Sequence, residues 1–146
     1  MKLGIISDTH DHIENTKKAV YIFKERGAEL VIHLGDIISP PAARALEGVN
    51  VIAIYGNNDG EFYKLRSTFE EIGAEYAESD FLEKEIDGLR FALYHGTVAP
   101  ITEALITCGT YDVVLAGHTH QQGTKTVGKT IYINPGSAHS MLAPNA

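Results

Sequence analysis

The chain has a single cysteine, no long apolar run and no block of lysine or arginine. Each absence excludes something. Cys108 alone cannot form an intrachain disulfide, and it fits a reducing compartment. The first residues, MKLGIISDTH, turn polar too soon for a signal-peptide core or a membrane span. A cytoplasmic protein without membrane contact is therefore expected. The net charge of −7 disfavours extended nucleic acid and anionic membrane surfaces. A small anionic ligand would need a local positive centre, which a metal ion can supply. No linker, low-complexity tract or internal repeat interrupts the 146 residues, so one domain over 1–146 is expected. Its 44% hydrophobic and 21% charged residues are those of an ordinary globular domain.

What is present is a rhythm. LGIIS at 3–7, LVIHL at 30–34 and VIAIY at 51–55 are apolar runs of strand length. Between and after them lie helical patterns at 13–26, 40–48 and 62–72, each stopped by a glycine. The second half differs. FLEKEI and LRFALY flank Asp87-Gly88, which suits a tight hairpin turn, and KTV and TIYI flank Gly128-Lys129. A helix is expected over 101–108 and a buried strand over 112–116. The pattern implies one α/β domain with mixed sheets, whose ligands gather beyond the carboxyl ends of the strands.

Five of those ends carry metal-ligand chemistry. Asp8 and His10 follow the first strand, Asp36 the second, Asn57 with Asn58 and Asp59 the third. His95 follows LRFALY, and His118 and His120 follow DVVLA. In extended chain, the i, i+2 pairs 8/10 and 118/120 would point to one side. Imidazole and carboxylate suit Mn²⁺, Fe²⁺, Co²⁺, Ni²⁺ or Zn²⁺, and no thiolate joins them as in a structural zinc knot. Asp8, His10, Asp36, Asn57, His95, His118 and His120 are too many for one ion and enough for two, if one carboxylate bridges.

A rival motif overlaps the last of these ends. GTKTVGKT at 123–130 matches the phosphate-loop pattern GxxxxGK(S/T). A working phosphate loop opens a helix, whereas this one runs into TIYINPGS, which is β-branched and ends in Pro-Gly. The hairpin reading is preferred.

Taken together, SDTH, GD, GNND, HG and GHTH in this order resemble the calcineurin-like metallophosphoesterase superfamily. With NPGS at 134–137, the chain is most similar to the small microbial phosphodiesterase branch, to which the retromer scaffold subunit is also related. The resemblance implies a four-layer α/β/β/α sandwich with two mixed sheets. It assigns Asp8, His10, Asp36 and His120 to one metal, and Asp36, Asn57, His95 and His118 to a second, with Asp36 as bridge. It implies a metal-dependent phosphodiesterase in which a hydroxide activated by two ions, Mn²⁺ or Ni²⁺ foremost, attacks a small or activated diester. Two divalent ions are formally balanced by two carboxylates, a hydroxide and a diester, which mildly favours a diester over a monoester.

Two departures stand out. The family often has GNHD where this chain has GNND, so a proton-donating histidine is replaced by Asn58. An amide can hydrogen-bond phosphate but delivers no proton near neutral pH. Slow turnover of diesters with poor leaving groups is expected, with Asn58 contacting substrate and Asp59 holding the loop. Related chains also continue past NPGS for further strands of the second sheet, whereas this one ends at Ala146. A shortened form or an edge covered by a partner, such as another copy, would account for that. The alternative function is a non-catalytic protein-binding scaffold on the same fold. Outside the ligand set, His33 is expected to be a hydrogen-bonded core residue, His12 to sit at a helix entry, and Cys108 to be a small core residue. Tyr55 and Tyr94 are expected to pack, Asn134 to support the site, and His139 is left open.

Overall fold

The structure, a computed structural model, describes residues 1–139. Four parallel strands, β1 (Leu3–Ile6), β2 (Leu30–His33), β3 (Val51–Ala53) and β4 (Glu75–Tyr76), form the first sheet in the order β1-β2-β3-β4. Each crossover carries a helix: α1 (Ile13–Glu25), α2 (Pro40–Arg44) and α3 (Phe62–Glu71). Among the described residues this sheet is wholly parallel rather than mixed, because every connection within it is a helical crossover. The two-residue β4 was not anticipated; GAEYAES carries too little apolar pattern to mark it.

The second sheet is mixed. It contains β5 (Phe81–Ile86), β6 (Leu89–Tyr94), β7 (Val113–Ala116), β8 (Gly123–Val127) and β9 (Thr130–Asn134), in the order β5-β6-β7-β9-β8. Asp87 and Gly88 both take positive φ (52° and 78°), as a type I′ turn demands, and set the pairing of Ile86 with Leu89. Gly128 (φ 58°) turns the β8–β9 hairpin, so GTKTVGKT forms a strand and a turn, with no helix after it. α4 (Ala99–Thr107) begins two residues earlier than expected, with Pro100 in its first turn, where a missing N–H costs nothing.

Period-two alternation sorts the strand side chains into two cores. Val31, Val51 and Ala53 face α1–α3 with Val20, Leu65 and Phe69. Ile32, Ile52 and Ile54 face the second sheet and meet Phe91, Leu93, Val113 and Leu115. α4 lies on the outer face, with Ile106 against Ala92 and Val114. The layers are thus α/β/β/α, as expected. Cys108 is a correction: it caps the C-terminus of α4 and is exposed, because Ile106 supplies the buried side of that last turn. No helix among the described residues is long and apolar enough to cross a membrane. The expectation about the chain end falls on residues 140–146, outside those described.

Candidate metal centre

The loops after β1, β2, β3, β6 and β7 converge at one end of the two sheets. The ligand pairs do not reach it by extended alternation. Asp8, His10, Asp36, His118 and His120 all take left-handed φ, between 43° and 63°. This conformation is uncommon for non-glycine residues and costs free energy unless the surroundings impose it. The curl replaces the expected same-side geometry, and it sends His118 and His120 apart. His120 Nε2 lies 3.1 Å from Asp8 Oδ1, whereas the His118 ring meets that of His95 at 5.2 Å.

Glycines make the crowding possible. A Cβ on Gly56 would fall 2.2 Å from Asp36 Oδ1 and 2.6 Å from His95 Cε1. One on Gly117 would fall 2.0 Å from Ser7 Oγ and 2.8 Å from Asp8 Oδ2. Both glycines are therefore required by space.

Asp8 and Asp36 are buried, and among the described residues neither has a lysine or arginine partner; their ionic neighbours are histidines. Asp36 turns one oxygen each way, Oδ2 to His10 Nε2 at 3.3 Å and Oδ1 to His95 Nε2 at 3.4 Å. His10 Nε2 is buried yet hydrogen-bonded to nothing, despite also lying 3.6 Å from Asp8 Oδ1. His95 Nδ1 is 2.7 Å from the Leu34 carbonyl, which can only accept, so Nδ1 carries the proton. In neutral His95, the Nε2 lone pair then faces Asn57 Oδ1 at 3.0 Å and Asp36 Oδ1. Lone pairs aimed at lone pairs fit a cation between them. Two three-residue groups have their ligand atoms within 4.8 Å of one another: Asp8–His10–His120 and Asp8–Asp36–His95. All seven expected ligands thus meet here, His118 through its contact with His95 and its backbone N–H, which donates to Asp8 Oδ2 at 3.0 Å.

Asn58 and Asp59 divide their tasks. Asn58 is exposed, and its backbone N–H and Nδ2 donate to the two oxygens of Asp36 at 2.9 and 2.8 Å. Asp59 is buried and accepts four backbone N–H groups, from Asp36, Ile37, Ile38 and Gly56, at 2.6–3.0 Å. Burial pushes its carboxyl above the usual range while those donors pull it back. Both oxygens are occupied, so Asp59 orders the loops and does not face the cleft.

The supporting layer was only partly anticipated. His33 is a buried core residue as expected: Nδ1 accepts from the Gly35 N–H, and Nε2 meets Thr9 Oγ1 at 3.2 Å. Burial, with His95 nearby, lowers its pKa to about 3, so it stays neutral. Asn134 Nδ2 donates to the Gly117 carbonyl and to Thr119 Oγ1, both at 3.0 Å, fixing the GHTH loop. Ser137 Oγ donates to the Asp8 carbonyl at 2.9 Å. Ser7 Oγ donates to Asp8 Oδ2. Neither serine's part was foreseen, since a serine at such a position looks like any loop serine. His12 caps α1, with Nδ1 accepting from the Asn15 N–H. Tyr94 is buried and its hydroxyl accepts from the Val98 N–H, while Tyr55 packs on Phe62 at 4.9 Å.

This arrangement has counterparts. The profile of the calcineurin-like phosphoesterase superfamily domain matches residues 1–145. A phosphodiesterase of Methanocaldococcus jannaschii is 45% identical over 144 residues, spanning 97% of this chain and 87% of that protein. The phosphodiesterase YfcE of Escherichia coli is 31% identical over 152 residues, spanning 94% and 79% respectively. Among solved structures, an archaeal phosphodiesterase superposes with a TM-score of 0.90 at 42% identity, covering 99% of this chain and 88% of the other. Vps29 of Entamoeba histolytica, 21% identical with a TM-score of 0.64 over 94% of this chain and 74% of its own, shares the fold.

Proposed function

Because the chain belongs to the calcineurin-like phosphoesterase superfamily, we propose that this centre hydrolyses a small phosphodiester with the help of two divalent ions. The chain is a metal-dependent phosphodiesterase; the number of ions, their ligands and the class of diester are our reading. Asp8, His10, Asp36 and His120 would hold one ion, and Asp36, Asn57, His95 and His118 the other. The observation that carries this is His95, whose Leu34 bond leaves Nε2 bare before two further oxygen acceptors. When bound, such ions lower the pKa of a water for attack on phosphorus and neutralise phosphate oxygens.

The remaining work falls to side chains. Leu34 fixes the tautomer of His95, and Asp59 fixes the backbone that presents Asp36. Asn58, at the exposed lip, has an amide that can turn from Asp36 to a phosphate oxygen but has no proton to give. Diesters with good leaving groups are therefore its better substrates. The all-nitrogen-and-oxygen donor set suits Mn²⁺ or Ni²⁺, with Fe²⁺, Co²⁺ and Zn²⁺ as competitors. The net charge of −7 supports a small cytoplasmic diester over a polynucleotide. A purely protein-binding scaffold would gain nothing from two buried carboxylates with no lysine or arginine partner among the described residues.

The test is turnover of bis-p-nitrophenyl phosphate by purified protein with Mn²⁺, Ni²⁺, Co²⁺, Zn²⁺ and Mg²⁺ in turn. Turnover that vanishes in Asp36→Asn and His95→Ala supports the assignment. A folded, metal-binding sample inactive with every ion overturns it.

A further inference from the structure

His139 lies outside every ligand group, yet it is built into the centre. Its backbone is pinned by a series of hydrogen bonds. The Ala138 N–H donates to the Ser7 carbonyl at 3.1 Å, and Asn15 Nδ2 to the Ala138 carbonyl at 2.8 Å. The His139 N–H donates to Ser137 Oγ at 3.1 Å, and Ser137 Oγ in turn donates to the Asp8 carbonyl. The His139 ring then stands edge-to-face between two others, with centroids 6.0 Å from His10 and 5.7 Å from His12. Its Nδ1 is buried and has no partner among the described residues. An orphaned N–H is rarer and costlier than an orphaned lone pair, so the tautomer with its proton on Nε2 is favoured.

We propose that His139 is a substrate-contacting residue whose imidazole N–H donates a hydrogen bond to the phosphate group of the diester, beside His10. This rests on the phosphodiesterase reading above. The placement explains itself in those terms. Asn58 Nδ2 and His10 Nε2 both lie within 3.3 Å of Asp36 Oδ2, and the His139 ring packs edge-to-face on that of His10. A phosphate held near Asp36 and His10 would then meet an amide donor in Asn58 and an imidazole donor in His139. With Nδ1 buried, the tautomer carrying its proton on Nε2 keeps an N–H in the neutral ring, so the contact does not require a charged imidazole. A hydrogen bond to a charged group is worth about tenfold or more in binding.

The experiment compares the wild type with His139→Ala and His139→Asn, each loaded with Mn²⁺. Expected are a loss of about tenfold or more in kcat/KM for bis-p-nitrophenyl phosphate in His139→Ala, and partial recovery in His139→Asn, which keeps an N–H donor. Orthophosphate should also bind His139→Ala more weakly by calorimetry, with metal content and melting temperature unchanged. Turnover and orthophosphate affinity within twofold of wild type would overturn the inference, as would a loss of metal in step with activity. An inactive wild type would instead overturn the phosphodiesterase reading, leaving orthophosphate affinity to judge His139.

Discussion

Asp59 shows how much a single carboxylate can organise from behind. Its four backbone donors come from two different loops, after β2 and after β3, so it ties Asp36 to the Asn57 loop. Asp59→Asn sets an amide N–H₂ against two of those N–H groups. We expect about 2–4 kcal/mol of lost stability from the unmet donors, measured by urea denaturation, with reduced metal content. His33 gives a pH prediction. Unfolded, it takes up a proton near pH 6.5; folded, only near pH 3, because burial opposes the charge. Between those values the unfolded chain binds more protons, so stability falls as pH drops below about 6.5 and is unaffected by this group above it. Urea midpoints from pH 8 to 4 should show that decline, and His33→Asn should flatten it.

At the scale of elements, most of the fold was legible because strand ends and helix stops were written in glycine and in apolar runs. The Asp87-Gly88 hairpin could be read directly, since only φ-positive residues suit its turn. β4 could not, because one exposed and one half-buried residue owe their strand to the neighbouring β3. Which residues converge on the site was legible as well, but not the directions in which they point. Nothing in DTH or HTH announces left-handed backbone, which is imposed by contacts from distant loops such as Asp8 N–H to the Gly35 carbonyl. Two predictions belong here. Lys129→Ala should leave activity within twofold and the urea midpoint essentially unchanged, since Lys129 sits in a hairpin turn and its ion pair to Asp112 lies at the surface. A larger loss of activity would revive the phosphate-loop reading. Gly56→Ala should abolish metal binding, because its Cβ would occupy space held by Asp36 and His95; elemental analysis and circular dichroism together would separate that from unfolding.

For the molecule as a whole, two buried carboxylates with no lysine or arginine partner among the described residues carry a desolvation cost that a bound metal would offset. Dialysis against a chelator should lower the melting temperature, and Mn²⁺ should restore it in a concentration-dependent way. At a hundredfold excess over Kd the gain is about 2.7 kcal/mol. No shift on adding any divalent ion would contradict the site. The hydrogen bond from Ser137 to Asp8 has a consequence in time as well as in space. Asp8, the first of the proposed ligands to leave the ribosome, is locked in place by a residue 129 positions later, and His118 and His120 also come late. A nascent chain that stops short of Ser137 therefore offers no finished centre to a passing ion. The ion would be bound only once these distant loops have met, by folded protein sampling the free ions around it, so the ion acquired should follow the composition of the growth medium.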